Sequence, residues 1–198
     1  NSDNPSMFHI NKQKALDACT GEWILQLDAD EMVSEKLREE IISVISLKKA
    51  TTGYYIPRRN YFLGHWLRKG GQYPDYVIRL FQRRKGRFPC KSVHEQIEID
   101  GTVGYLKNPL LHYSYRTLAE YWKKADAYTS LTAQEMVENQ VPKNIKSWVR
   151  YEWMKPTFTF MSLFLRHKGF MDGIYGLLFA LFSALHYSIA YSKYLRLK

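Results

Sequence analysis

Two hydrophobic rhythms alternate along this chain. Trp23, Ile24, Leu25 and Leu27 form a short apolar run the size of a buried strand, and it stops abruptly at Asp28-Ala29-Asp30-Glu31. Upstream, Lys12 to Cys19 reads as the last turns of a helix, with Gly21 as its stop. Downstream, Ser34 is placed to cap a second helix, and Glu35 in the first turn favours its dipole. Leu37, Ile41, Val44 and Ile45 then fall on one helical face. Residues 11–46 therefore read helix–strand–helix, half of a doubly wound α/β sheet.

From Thr51 to Tyr113 the elements become short strands. Gly53-Tyr54-Tyr55-Ile56, Tyr61-Phe62-Leu63, Tyr76 to Phe81 and His94 to Ile99 are β-rich runs separated by Gly, Pro and Asp, and Asp100-Gly101 is a hairpin signal. Thr117-Leu118-Ala119-Glu120 fits a capping box. It predicts a helix to about Val137, with Leu118, Tyr121, Trp122, Ala125, Tyr128 and Thr132 on its packed face. Pro142 and Pro156 bracket a segment rich in Trp and Tyr. Gly173 to Ser192 then runs 20 residues without a formal charge, long enough to span a bilayer. Its Gly, Ser and Tyr content argues against a span. So do the basic residues at both flanks, Lys155, Arg166 and Lys168 before it and Lys193, Arg196 and Lys198 after it. With Phe158, Phe160, Phe164 and Phe170 nearby, helices lying in an anionic membrane interface are the expectation, and a buried helix or a dimer contact is the alternative.

Composition narrows the class. A chain of 198 residues suits one domain with a real core, and 45% hydrophobic against 24% charged residues excludes disorder. Two cysteines, Cys19 and Cys90, are too few and too far apart for a disulfide framework or a zinc ribbon, so free thiols in a reducing cytoplasm are expected. No secretory signal opens the chain, and its first residue is Asn1 where an intact protein would have Met, which implies a fragment or a processed product. The net charge of +10 is uneven. Residues 54–94 hold 10 basic side chains against 1 acidic, and residues 143–198 hold 9 against 2, while the segments between and before them are acidic. Such basic blocks attract nucleic acid, phosphorylated glycolipid or an anionic bilayer.

The acidic stop is the first chemical candidate. Three carboxylates in four residues repel one another and are tolerable only in water or around a cation. In open α/β sheets ligands bind beyond the carboxyl ends of strands, which is where Asp28 and Asp30 fall. Hard oxygen ligands suit Mg²⁺ or Mn²⁺ bridging to a substrate diphosphate. Taken alone, D-x-D fits an acidic strand–helix turn equally well.

The run GEWILQLDADE, preceded by Asn11-Lys12-Gln13-Lys14-Ala15-Leu16, resembles the central segment of family 2 glycosyltransferases, which have the GT-A fold. The resemblance continues through Val93-His94-Glu95, Leu110-Leu111-His112-Tyr113 and Lys168-Gly169-Phe170-Met171-Asp172-Gly173. This ordered set looks like the bacterial branch that includes lipopolysaccharide-core β-glucosyltransferases, and it covers nearly the whole chain. The resemblance implies an upstream nucleotide-binding part that this chain lacks. The expected fold is thus α/β: a partial, Rossmann-like GT-A domain with a mixed sheet over residues 1–140, then a basic, aromatic membrane-interfacial helical region over residues 141–198.

The resemblance also assigns roles. Asp30, helped by Asp28, would hold Mn²⁺ or Mg²⁺ on the donor diphosphate, and His112 would complete the metal site. A lone histidine of this kind is otherwise a hydrogen-bonded core residue. Glu95 would take the proton of the attacking hydroxyl. Many relatives carry an acidic pair at that station; here it is His94-Glu95, which leaves Asp75 open as the base. Asp75 and Arg79 are also weaker candidates for acceptor or diphosphate contact, and Trp66 with Tyr73 for a sugar platform. The basic block at Arg58, Arg59, Arg68, Lys69, Arg83, Arg84, Lys85 and Arg87 either meets phosphates on the acceptor or is a solvated strand edge.

The reading is an inverting glycosyltransferase, peripheral on the cytoplasmic face of the bacterial inner membrane. It would use a nucleotide-sugar donor and a glycolipid acceptor such as the lipopolysaccharide inner core, and the fragment alone is expected to be inactive. The alternatives are transfer to a polyprenyl phosphate or a protein, or a non-catalytic basic module for membrane or nucleic acid. No nucleic-acid motif is present, so nucleic acid is not an expected partner.

Overall fold

The computed structural model describes residues 8–47, 51–89 and 96–197. In chain order the elements are α1 (Phe8–Asp17), β1 (Trp23–Leu25), β2 (Glu31–Val33), α2 (Glu35–Ser46), β3 (Thr51–Phe62), β4 (His65–Trp66), β5 (Asp75–Gln82), β6 (Gly86–Arg87), β7 (Glu98–Ile99), β8 (Thr102–Tyr105), β9 (Leu110–Tyr115) and α3 (Leu118–Glu138). Then come α4 (Ile145–Val149), a π-helical turn Arg150–Met154, α5 (Lys155–Met161), a second π-helical turn Ser162–Arg166, a 3₁₀ turn Gly169–Asp172 and α6 (Gly173–Arg196). The main sheet runs β1-β5-β3-β9-β2, with β4 and β8 also paired to β3. All pairings given a register are antiparallel except β3–β8, so the α/β class with a mixed sheet is as expected.

The chain forms two compact units, Asn1–Arg58 with Asp75–His112, and Arg59–Pro74 with Tyr113–Lys198. In the first unit the helices form where their caps and periods place them. The Ser34 hydroxyl accepts from the Leu37 N–H at 3.3 Å, and Leu37 and Ile41 of α2 are buried. These two pack with Tyr54, Ile56, Leu80, Leu106 and Leu110, while Leu16 of α1 packs with Ile24, Ile78, Phe81, Phe88 and Ile97. Along β1 the side chains alternate between these cores, Trp23 and Leu25 to one and Ile24 to the other.

β5 breaks that alternation. Ile78 and Leu80 are two residues apart, so in an unbroken strand they would share a face. They lie in different cores. The register explains why: Tyr54 stands opposite Leu80 and Tyr55 opposite Ile78, leaving Arg79 as an extra residue. It is a β-bulge, the device that re-aims one side chain out of a ladder.

Two local expectations differ from the structure. Gly53-Tyr54-Tyr55-Ile56 and Tyr61-Phe62 belong to one long strand, because β-formers on both sides of Pro57 carry it through the missing N–H. Asp100-Gly101 does not close a hairpin between β7 and β8. β7 pairs with β6, and β8 departs to pair in parallel with β3. The Asp100 N–H and carboxylate are instead taken by Lys85, through its carbonyl and its ammonium.

In the second unit, β3 ends in a tight hairpin with β4. Tyr61 pairs with Trp66 and Phe62 with His65, and the turn residues Leu63 and Gly64 have φ of 51° and 80°. Phe62 and Leu67 point into a core with Tyr121, Phe179 and Phe182. The Thr117 hydroxyl caps α3 by accepting from the Glu120 N–H at 3.1 Å, and Glu120 reaches back to the Arg116 N–H. The buried stripe of α3 is Tyr121, Thr129, Ala133 and Met136; Leu118, Trp122 and Tyr128 from the expected face are exposed. Small residues decide this rotation. Thr129 and Ala133 let α6 approach, and Lys193 of α6 reaches Asp126, Thr129 and Ser130. The turn before α6 is equally close-packed. A side chain at Gly176 would lie 1.9 Å from the Gly169 carbonyl oxygen.

Candidate functional site

The acidic stop is a turn closed by its own atoms. The Glu31 N–H donates to the Asp28 carbonyl at 3.0 Å, and the Asp28 N–H donates to the Glu31 carboxylate at 3.0 Å. Glu31 begins β2, which pairs with β9 so that Glu31 stands opposite His112. The Glu31 side chain is fully buried at 0% exposure. A buried carboxylate is tolerable only if it is paired, and the bulged Arg79 supplies the partner at 2.7 Å, with Arg58 at 3.5 Å. The same Arg79 donates to Asp28 Oδ2 at 2.5 Å and to the side-chain carbonyl of Gln26. Lys12 from α1 donates to Asp28 Oδ1 at 2.5 Å. Burial raises the Asp28 carboxyl, but the Lys12 hydrogen bond and the charges of Arg79 and Lys12 outweigh it and hold the group at about 2.

Asp75 accepts twice from Arg58, through Nε at 2.9 Å and Nη2 at 2.7 Å. His112 Nε2 lies 3.5 Å from Asp30 Oδ1. Burial, and next the charge of Arg58, lowers the His112 pKa against the opposing pull of Asp30, Glu31 and Asp75. The shift favours the neutral ring, which carries a lone pair. Among the described residues, the carboxylates of Asp28, Asp30, Glu31 and Asp75 thus gather with the cations Lys12, Arg58 and Arg79.

These residues test the fit of a divalent cation. Asp30 and His112 offer a hard oxygen and a neutral imidazole nitrogen on one spot, a donor pair that Mn²⁺ accepts. Asp28 is engaged by Lys12 and Arg79 instead. Among the described residues, no group of three or more His, Cys, Asp and Glu is assembled for a metal. Two protein ligands fit an ion whose remaining positions go to phosphate and water, as is usual for Mg²⁺.

The structure thus brings Asp28, Asp30, Asp75, Arg79 and His112 together in the first unit. Trp66 and Tyr73 lie in the second unit, edge to face at 5.4 Å. Glu95, with Val93 and His94, lies outside the described residues. Sequence reasoning missed Lys12, Gln26 and Arg58 as members of the cluster, and gave Glu31 only as part of the acidic run. The one available signal was electrostatic: a buried acidic run next to a strand needs cations, and Arg79 is the lone charge inside the apolar run Tyr76 to Phe81.

The chain is an α/β domain similar to a glycosyltransferase of the lipopolysaccharide-core branch. It is 28% identical, over 187 aligned residues, to the lipopolysaccharide core biosynthesis glycosyltransferase LpsC of Rhizobium meliloti (strain 1021). The match covers 87% of this chain and spans 66% of that relative. No family model matches the chain.

Proposed function

We propose that the protein is a metal-dependent, inverting glycosyltransferase that moves a sugar from a nucleotide-sugar donor to a bacterial glycolipid, the lipopolysaccharide inner core being the best fit. The observation that carries this reading is the convergence of Asp30 and His112 beside a stapled acidic turn. The similarity to LpsC, a lipopolysaccharide core biosynthesis glycosyltransferase, supports it. Asp30 and His112 would hold Mn²⁺ or Mg²⁺, and when bound the ion supplies Lewis-acid stabilisation of the departing diphosphate. Lys12 and Arg79 fix Asp28, and through it the turn that presents Asp30. Asp28 contributes to the cation site through that positioning. Arg58 holds Asp75. Glu95 is assigned as the base that takes the proton from the attacking hydroxyl. In Glu95→Gln, transfer falls below a tenth of wild type while donor binding persists, because a positioned base contributes about 10²-fold or more.

Attachment to the cytoplasmic face of the inner membrane belongs to the same reading. Ile145, Val149, Met154, Phe158, Met161 and Leu165 are all exposed, at steps of three to five residues that the first π-helical turn keeps in line. Trp153 is 63% exposed and Phe158 70%. Soluble surfaces rarely display such a contiguous apolar stripe. Lys146, Arg150, Arg166 and Lys168 border it, as anionic headgroups require. One helix, within Gly169–Arg196, is long and apolar enough to cross a bilayer. One face of it, with Gly176, Ala180, Ala184, Ala190, Tyr191 and Tyr194, is buried against protein, while 22% of its apolar window is buried in all.

The test is calorimetric binding of a panel of nucleotide sugars to the full-length protein, with and without Mn²⁺, for wild type and Asp30→Ala. Metal-dependent binding of one donor, lost in the variant, is expected. Absence of binding by every donor overturns the reading.

A further inference from the structure

The β3–β4 hairpin divides its side chains cleanly. Phe62, His65 and Leu67 face the core, where His65 stacks on Tyr175 at 4.6 Å. Tyr61 and Trp66 pair across the ladder and therefore share the other face, and Arg59 precedes Tyr61 by two on that face. Two guanidiniums sit on one indole there. Arg59 lies 4.0 Å and Arg68 4.9 Å from the Trp66 ring centre. Tyr73 meets the same ring edge-on at 5.4 Å. Next to it Tyr61 stacks on Tyr113 at 4.7 Å, with ring planes 18° apart.

The energetics of this cluster do not close on themselves. Each cation–π contact is stabilising. The two like charges are drawn onto one ring, Arg59 partly buried and Arg68 exposed. Among the described residues neither guanidinium has a carboxylate partner. Arg59, Arg68 and Trp66 are donors only, with no acceptor of their own. Arg59 Nε and Trp66 Nε1 are buried donors without a partner among the described residues. Leaving buried donors unpaired is unfavourable. The backbone beneath is nevertheless held firmly. Asp172, 3% exposed in its side chain, accepts from the Arg68 N–H at 3.1 Å and the Lys69 N–H at 2.8 Å, and the Gly70 N–H donates to the His167 carbonyl at 2.9 Å. A rigid loop thus holds a donor-only, doubly cationic indole beside a pair of stacked tyrosines.

We propose that this face is a binding site for a phosphorylated saccharide, with the phosphate taken by Arg59 and Arg68 and the sugar ring lying along the partly exposed Tyr61–Trp66 side of the hairpin. An anion supplies the missing acceptors, and aromatic side chains suit the apolar face of a pyranose. The proposal rests on the transferase reading for its biological meaning, since it names a phosphate-bearing acceptor as the chemistry recognised. The binding itself stands without a donor.

The experiment follows the indole N–H resonance of Trp66 in the ¹⁵N-labelled full-length protein, assigned by its loss in Trp66→Phe. Glucose 6-phosphate, glucose, inorganic phosphate and phosphatidylglycerol vesicles are titrated separately at constant ionic strength. Saturable binding of glucose 6-phosphate is expected, at least tenfold tighter than either glucose or inorganic phosphate. Arg59→Gln and Arg68→Gln each weaken it about tenfold or more at unchanged melting temperature, and Arg68→Lys restores part of it. Equal affinity for glucose and glucose 6-phosphate, or unchanged binding in both Gln variants, overturns the proposal. So does a response to phosphate alone as tight as to the sugar phosphate, or a response only to vesicles. Donor binding measured by calorimetry on wild type is the separate arm. Sugar-phosphate binding without any donor binding removes the transferase reading and keeps this site, and the reverse outcome removes the site alone.

Discussion

His112 Nε2 stands 3.5 Å from Asp30 Oδ1, across the β2–β9 pairing that sets Glu31 opposite His112. Asp30 reaches this point because the Asp28–Glu31 turn is locked by two hydrogen bonds of its own. His112→Ala is therefore expected to weaken Mn²⁺ binding by about tenfold or more, the loss of one of two protein ligands. His112→Gln weakens it similarly while filling the space. Isothermal titration with Mn²⁺ in the presence of nucleoside diphosphate reads the effect, and an unchanged dissociation constant in both variants removes His112 from the site.

Asp28 gives a pH-dependent prediction. Its native carboxyl is held at about 2, against 3.8 for an ordinary aspartate. The folded state thus binds this proton less tightly than the unfolded chain. The stabilisation is complete above 3.8 and drains away as the pH falls toward 2. The difference corresponds to a ceiling on the order of 2 kcal/mol. Asp28→Asn should lower the urea-unfolding free energy by up to about that amount at pH 7 with chelator present, and the gap to wild type should narrow steadily below pH 4. A gap that stays constant with pH would show that Lys12 and Arg79 do not act on this carboxyl.

Asp172 should matter to stability far more than its place in a turn suggests. It accepts two backbone N–H groups, from Arg68 and Lys69, in a nearly inaccessible setting. Asp172→Ala leaves both donors unpaired, at about 1–3 kcal/mol each, so a melting-temperature loss of roughly 4 °C or more is expected. Asp100→Asn, which breaks only a surface pair with Lys85, should leave the melting temperature within error. Equal effects of the two variants would contradict this account.

The apolar stripe is tested by flotation. Trp153→Ser and Phe158→Ser change side chains that are 63% and 70% exposed, so folding should be unaffected. If each side chain enters the interface, each contributes about 2 kcal/mol, or about thirtyfold in partitioning. The double variant should leave phosphatidylglycerol liposomes at salt concentrations that wild type tolerates. Equal flotation of wild type and double variant would place the contact elsewhere.

The helices were legible because local rules decide them. Ser34 and Thr117 cap where their sequence contexts say, and Leu37 and Ile41 bury the face that their spacing defines. What the sequence could not show depends on partners distant along the chain. The packed face of α3 is legible in part: Tyr121 and Ala125 pack as expected, but Leu118, Trp122 and Tyr128 are exposed, and Thr129 and Ala133 are the residues small enough to be buried. Asp100-Gly101 has hairpin chemistry, but the pairing partner of β8 lies some fifty residues earlier, with Gly53 matched to Val103. At the candidate site, Asp28, Asp30 and His112 were visible as types in a pattern. The cations that make the acidic turn bearable come from α1, β3 and β5, and nothing local names them.

The extra residue in β5 has a consequence for how the chain tolerates change. Because of Arg79, the strand carries two alternations out of phase, one through Ile78 and another beginning at Leu80. Substitution at 79 removes a charge; deletion removes the phase shift. A chain shortened by that single residue would bring both alternations into step, and either Leu80 would leave its core or Ile78 would leave the other. Length at this point is thus a requirement in its own right, separate from the charge that Arg79 brings to Glu31 and Asp28.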